Sequence, residues 1–262
     1  MGLFKNRRIC KFEENNASVS VSEKFGVRTL YIGSDTVQSS MRLARPNDLE
    51  LAYTRSMMAF LLFHSDPQRV LMVGLGGGSL AKFIYHRFPA TQVVAVEISP
   101  QVVAIAREFF YLPAGDVRLN IVVGDGAEYL RGEERTADVI LVDGYDAESQ
   151  AEALFTLEFY RDCARMLGES GMLVVNLWGG DLNFRTCVDR LAQAFDGLVA
   201  CLPAGRPGNV VALAFKCSPG QPRWGDLVKR AQRLEALYGL EFSRFVQNLA
   251  AMNPHDAERL LL

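Results

Sequence analysis

The chain has 262 residues, 49% of them apolar, and a net charge of -2. That length suits one large domain or a domain with an appendage, and that composition fills a core, which excludes a disordered chain. The near-neutral charge gives no electrostatic case for a nucleic acid or an anionic membrane as partner. No apolar run reaches the roughly 18 residues of a membrane span, and Met1-Gly2-Leu3-Phe4 starts no signal core. A cytoplasmic protein is therefore expected. Its five cysteines, Cys10, Cys163, Cys187, Cys201 and Cys217, show no C-x-x-C spacing and read as buried free thiols in a reducing compartment. His64, His86 and His255 are scattered, so neither a metal site nor a histidine-dependent triad is expected. The cluster Lys5-Asn6-Arg7-Arg8 reads as a solvated tail.

In chain order, residues 9 to 42 read as short strands, with "ASVSVSE" and "VRTLYIG" joined by a Phe25-Gly26 turn and "TVQSSMR" as a further strand. Residues 47 to 62 carry helical apolar spacing behind a capping Asn47. From Val70 the rhythm becomes strand, loop, helix, repeated. "RVLMVG" is a strand and "LAKFIYHRF" a helix stopped at Pro89; "QVVAVE" is a strand, and Ser99-Pro100 opens a helix through Phe110. "LNIVV" and "DVILVD" are strands around the short helix "AEYLRG". Thr156 caps "LEFYRDCARML", which Gly168 is expected to end. "GMLVVNL" is a strand, "NFRTCVDRLAQAF" a helix, "LVACLP" and "NVVALAFK" a terminal hairpin, and residues 224 to 262 terminal helices. Continuous apolar strands alternating with helices mean a mostly parallel sheet covered on both faces. The expected layout is an N-terminal β-rich region over residues 1–46, a Rossmann-like catalytic domain over 47–220, and C-terminal helices over 221–262.

The loop Gly74-Leu75-Gly76-Gly77-Gly78-Ser79 lies between a strand and a helix, where glycines let the backbone approach a ligand. Ser79 breaks the G-x-G-x-x-G dinucleotide fingerprint, and no Lys-Ser/Thr follows to make a Walker loop. Glu97 ends the next strand, 21 residues past Gly76, where a carboxylate can accept from both ribose hydroxyls. Asp125, in "VVGDGAEYL", ends the third strand and can hold an adenine amino group, with helix capping as its alternative role. Together the three describe a site of the S-adenosylmethionine type. The fourth strand delivers Asp143, and Asp146, Glu148 and Glu152 follow in "ADVILVDGYDAESQAEALFTLEFY". Carboxylates at a cleft attract a cation, and a desolvated one can take a proton from an amine. A solvated acidic loop is the plainer reading for Glu148 and Glu152.

Four stretches resemble the spermidine synthase family of aminopropyltransferases. "RVLMVGLGGGS" is similar to the family's R-V-L-x-x-G-G-G-D-G-G, and "VVAVEIS" to its V-x-x-V-E-I-D. "VVGDGAEYL" resembles its G-D-G-x-x-[FY]-L, and "DVILVDGYD…ALFTLEFY" its D-V-I-[IL]-x-D-[ST]-[ST]-D-P…L-[FY]-[TS]-x-E-F-Y. The resemblance runs from about residue 9 to 216. It implies a seven-stranded, doubly wound α/β sheet of the S-adenosylmethionine-dependent methyltransferase type with a small N-terminal β appendage. It implies transfer of an aminopropyl group from decarboxylated S-adenosylmethionine to a polyamine or related small amine, without a metal. By the same resemblance Asp143 is the base, and Gln38, Gly74, Gly76, Gly78, Glu97, Asp125 and Gly126 hold the donor. Tyr53 and Asp146 hold the acceptor, and a homodimer is expected.

The chain also departs from the family pattern. Gly77 stands where the family has an Asp that helps hold the donor's ammonium. Gly144-Tyr145 replaces its Ser/Thr pair, and Ala147 its Pro. Tyr53-Thr54-Arg55 replaces Tyr-His-Glu, so an inward-pointing arginine would oppose a cationic acceptor, and Trp178 would narrow the acceptor pocket or serve the core. Three readings stand at this point: an aminopropyltransferase of altered specificity, an S-adenosylmethionine-dependent methyltransferase on the same scaffold, and a non-catalytic nucleoside-binding protein.

Overall fold

The computed structural model describes residues 7–14, 17–34, 36–133, 136–144, 152–205 and 208–262. Four N-terminal strands, β1 (Arg7–Glu14), β2 (Ala17–Lys24), β3 (Val27–Ile32) and β4 (Val37–Arg42), form an antiparallel meander. Phe25 and Gly26, with φ of 53° and 73°, turn β2 into β3 as a hairpin requires. The buried face of this sheet, Val19, Val21, Leu30 and Met41, packs on Ile105 and Phe110.

The helix expected over 47–62 is shorter. α1 spans Ala52–Met57 and runs on as a 3-10 turn over Met58–Leu62; its N-cap is Leu51, not Asn47. The guanidinium of Arg55 explains the late start. It donates to the carbonyls of Leu49 (3.3 Å) and Glu50 (2.6 Å), so these oxygens serve a side chain rather than a helix ladder.

The larger sheet follows the expected rhythm. β5 (Arg69–Val73), α2 (Ser79–Arg87), β6 (Gln92–Glu97), α3 (Pro100–Phe109), β7 (Leu119–Val123) and α4 (Gly126–Gly132) come first. β8 (Ala137–Val142), α5 (Leu157–Met166), β9 (Leu167–Trp178) and α6 (Phe184–Ala194) continue it. β10 (Val199–Pro203), β11 (Asn209–Phe215), α7 (Trp224–Tyr238) and α8 (Phe242–Leu249) complete it. The sheet has seven strands in the order β10-β11-β9-β8-β5-β6-β7, and β11 runs antiparallel to both neighbours. The protein is thus α/β, with a mostly parallel sheet and a small antiparallel one. Successive residues of the central strands feed opposite cores. Val70 and Met72 point to the layer containing α2, α7 and α8, while Leu71 and Val73 point to α4, α5 and α6. This two-sided burial is why these strands read as unbroken apolar runs.

Three local expectations need correction. α5 ends at Met166 rather than at Gly168, because Leu167 is already extended and pairs with Ala137, so Gly168 lies inside β9. The terminal hairpin forms, but its second strand takes the interior place. The longer run of β11, buried from Val210 to Phe215, sits between β9 and the five-residue β10 at the edge. The last residues, 250–262, are not helical. There Asn253 accepts from the Cys201 N–H (2.6 Å) and donates to its carbonyl (2.7 Å), covering the outer edge of β10. Cys163, Cys187 and Cys201 are buried thiols, whereas Cys10 is half-buried and Cys217 is exposed on the loop after β11. No helix of the described residues is long and apolar enough to cross a membrane.

Lys82, fully buried on α2, ties the two sheets together. Its ammonium donates to the carbonyls of Pro46 (2.8 Å) and Phe110 (2.5 Å) and reaches the Met41 sulfur at 3.2 Å. Burial pushes its pKa down to about 8. The unfolded chain therefore holds more protons than the folded one between about pH 8 and the ordinary lysine value, and stability contributed by this group rises with pH across that window. Thermal unfolding of wild type against Lys82→Met from pH 7 to 10.5 checks this. Lys82→Met should be less stable throughout, since two carbonyls lose their donor, and the gap should widen as pH rises. A gap that narrows with pH contradicts it.

Candidate active site

The carboxyl ends of β5, β6 and β8 open into a cavity of about 460 Å³. Its lining includes Gln38, Tyr53, Gly74, Gly76, Glu97, Asp125, Gly126 and Asp143, so the fold gathers all but Gly78 of the described donor, acceptor and base positions from six separate stretches of chain. Gly78 is not among the lining residues. It caps α2 with a left-handed φ of 71°, and a side chain there would meet Leu112. Its conformation shapes the loop, but the cavity wall is made by Gly74, Leu75, Gly76 and Ser79.

Glu97 is built into the loop it faces. Its Oε2 accepts from the Leu75 N–H at 2.9 Å, and Oε1 accepts from the Ser99 N–H at 3.0 Å. Each oxygen has a further lone pair, and the side chain lines the cavity. Asp125 takes the capping role as well as its place at the cavity wall: Oδ1 accepts from the N–H groups of Ala127 (2.7 Å) and Glu128 (2.9 Å) at the start of α4. Ile98, 70% exposed, and Val102 form an apolar shelf beside Glu97.

Asp143 follows β8 directly, and its N–H donates to the Val73 carbonyl at 2.9 Å. Tyr53 on α1 donates to Asp143 Oδ2 at 3.1 Å and lies equally close to the Gln38 carbonyl. Asn176, buried on β9, donates to Oδ1 at 2.9 Å. Enclosure by protein raises the Asp143 pKa; the hydrogen bonds from Asn176 and Tyr53 oppose that rise, and the Glu97 carboxylate adds to it. A carboxylate in such a place is a better proton acceptor than one in water. Asn176 was not foreseen in the sequence. Its signal is one amide within the apolar run "MLVVNLW", a side chain that a buried strand admits only with a partner.

Asp146 and Glu148 lie outside the described residues, as does the side chain of Glu152, and so do Tyr145 and Ala147. Arg55 does not point inward. It forms an ion pair with Glu241 (3.0 Å), leaving Thr54 on the cavity wall. Trp178 is absent from the lining and rests against Gly180 and Gly208. Gly77 is also absent from the lining: a Cβ there would come within 2.7 Å of the hydroxyl of Ser39, itself on the cavity wall, and 2.9 Å of the Phe110 ring. An aspartate at this position would have to displace both.

Residues 50–179 match the family model described as "Spermine/spermidine synthase domain". A polyamine aminopropyltransferase of Chromobacterium violaceum is 44% identical over 256 residues, covering 98% of each chain. One from Neisseria meningitidis serogroup A is 43% identical over 257 residues, again covering 98% of each. A crystal structure of a spermidine synthase in complex with the transition state analogue AdoDATO superposes with a TM-score of 0.70 at 21% identity, covering 94% of this chain and 89% of that one. Near-complete coverage by relatives at this identity, together with the cavity at the strand ends, leads to one conclusion: the chain belongs to the spermine/spermidine synthase family.

Proposed function

We propose that the protein transfers an aminopropyl group from decarboxylated S-adenosylmethionine to a small amine, with Asp143 as the base. The observation that carries this reading is the Asp143 carboxylate, raised in pKa and fixed by Tyr53 and Asn176, opening into the same cavity as Glu97 and Asp125. Glu97 would accept from the donor's ribose hydroxyls. Asp125 and Gly126 would border its adenine, with Ile98 under the ring. Gly74 and Gly76 would let the main chain lie close to the sulfonium, and Gln38 and Tyr53 would close the other side. The acceptor nitrogen attacks the methylene carbon bonded to sulfur. The C–S bond breaks with its electron pair going to sulfur, neutral methylthioadenosine leaves, and the amine's proton passes to Asp143. Tyr53 suits this transfer because its single hydroxyl proton has two acceptors, Asp143 Oδ2 and the Gln38 carbonyl. As Asp143 gains a proton, the tyrosine proton turns to Gln38. Around the attacking amine, Ile32, Ala153 and Leu154 offer apolar wall, which suits an aliphatic amine. Asp146 would hold its distal charge.

Calorimetry with decarboxylated S-adenosylmethionine, S-adenosylmethionine and methylthioadenosine side by side tests the donor. The decarboxylated form and methylthioadenosine should bind in the micromolar range. Glu97→Ala should weaken both ten- to a hundredfold, since hydrogen bonds to a charged group are worth roughly 1.5–3 kcal/mol. Preference for S-adenosylmethionine would favour the methyltransferase reading, and no binding of any of the three would defeat both.

A further inference from the structure

Three neighbouring strands each place one polar side chain in a row beside the cavity. Asp143 follows β8, Asn176 is on β9 one residue past the Val142–Val175 pair, and Asn209 opens β11 diagonally across from Asn176. Asn209 Nδ2 donates to Asn176 Oδ1 at 3.0 Å, and Asn176 Nδ2 donates to Asp143 Oδ1 at 2.9 Å. The direction of this chain is forced. An ionised carboxylate only accepts, so Asn176 must turn its amino group to Asp143 and its oxygen outward, and Asn209 must then donate. Asn176 is 1% exposed and cannot exchange these partners for water.

We infer that Asn209 and Asn176 are positioning residues for the reaction: the row of amides holds Asp143 Oδ1 in one orientation and so reserves Oδ2, beside Tyr53, for the proton of the acceptor amine. This rests on the reading of Asp143 as the base. Oδ1 is occupied on the side away from the cavity, so proton transfer goes to a single oxygen with a fixed approach. Binding of the nucleoside donor at Glu97 and Asp125 does not involve the row.

The two parts can be tested separately. In wild type, Asn176→Leu, Asn176→Ser and Asn209→Ala, the Asp143 carboxyl is titrated by carbon NMR on protein labelled at aspartate, with Asp143→Asn giving the assignment. The charged form of Asp143 loses a donor in both Asn176 variants. Its titration midpoint should rise by about one pH unit, and by less in Asn209→Ala. In steady-state assays with decarboxylated S-adenosylmethionine and putrescine, kcat should fall about ten- to a hundredfold in the Asn176 variants. The acid limb of kcat/KM should move up with the NMR midpoint, while donor affinity stays within about threefold. Adding Asn209→Ala to Asn176→Leu should cause no further loss, because the row is already broken. Asn176→Ser keeps the packing demand small should the leucine variant not fold. An unmoved carboxyl midpoint in the Asn176 variants, or a loss confined to KM, overturns the positioning role. If Asp143→Asn itself keeps wild-type turnover, it is the base assignment that fails, and the NMR midpoints still report on the row.

Discussion

Asp143→Asn should lower turnover by about 10² to 10⁴ while leaving donor affinity and stability close to wild type. That range is what a positioned base contributes to a proton transfer. The side chain keeps its size and hydrogen-bonding capacity, so Tyr53 retains an acceptor 3.1 Å away, although one Asn176 contact must rearrange. Stability also argues for survival of the fold. The folded pKa of Asp143 lies above its unfolded value, so its favourable contribution is complete only below the unfolded pKa and is lost as pH rises through the folded one. Above the folded pKa the wild type carries a buried charge that the asparagine variant lacks. Thermal unfolding in that pH range should therefore show an equal or higher melting temperature for Asp143→Asn. The same shift predicts a wild-type rate that climbs with pH as Asp143 ionises, with its midpoint above the ordinary carboxylate range. A variant that turns over normally, or a rate that falls across that limb, contradicts the base assignment.

Gly74→Ala should damage both stability and activity. Gly74 sits at φ 94°, and a Cβ there would lie 2.2 Å from the Asp143 carbonyl oxygen and 2.9 Å from its carbonyl carbon. Both obstacles are main chain, so no rotamer change relieves them. β8 must move, and Asp143 moves with it. Left-handed strain and forced overlap together cost about 3 kcal/mol, a melting-temperature loss of roughly 5–10 °C in a chain of this size. A displacement of about an ångström at the base should lower kcat a further hundredfold. Gly132→Ala is the control: it has open space around its Cβ position at the end of α4 and should melt at or slightly above wild type. Wild-type melting and turnover in Gly74→Ala would mean that the contact between β5 and β8 does not position Asp143.

The parallel sheet was legible because each buried strand is a continuous apolar run, and because Ser99-Pro100, Asp125 and Thr156 mark helix starts that the structure uses as caps. What could not be read depends on partners distant in sequence. The late start of α1 follows from Arg55, whose orientation is fixed by Glu241, 186 positions away. Gly168 looks like a helix stop, but pairing of Leu167 with Ala137 draws it into a strand. The interior position of β11 needs β9 as a neighbour, and no local pattern encodes that pairing. Within the site, acidic residues at strand ends were conspicuous, whereas the amides that orient one of them were not. Asn176 and Asn209 lie 33 positions apart and meet only once β9 and β11 are side by side. Gly77 shows the opposite limit. A motif aligned it with a ligand-binding position, yet its missing side chain makes room for Ser39 and Phe110, a packing relation that no local pattern shows.

The central claim is that this cavity joins an amine to an aminopropyl donor at Asp143. Its most direct test is mass spectrometry of reactions containing decarboxylated S-adenosylmethionine with putrescine, cadaverine, spermidine and agmatine in turn, with Asp143→Asn alongside. The account predicts at least one amine heavier by a single aminopropyl unit, methylthioadenosine released in equal molar amount, and both formed at least about a hundredfold more slowly with the variant. Methyl transfer from S-adenosylmethionine to these amines, or no transfer to any of them by a protein that binds the donor, would contradict it.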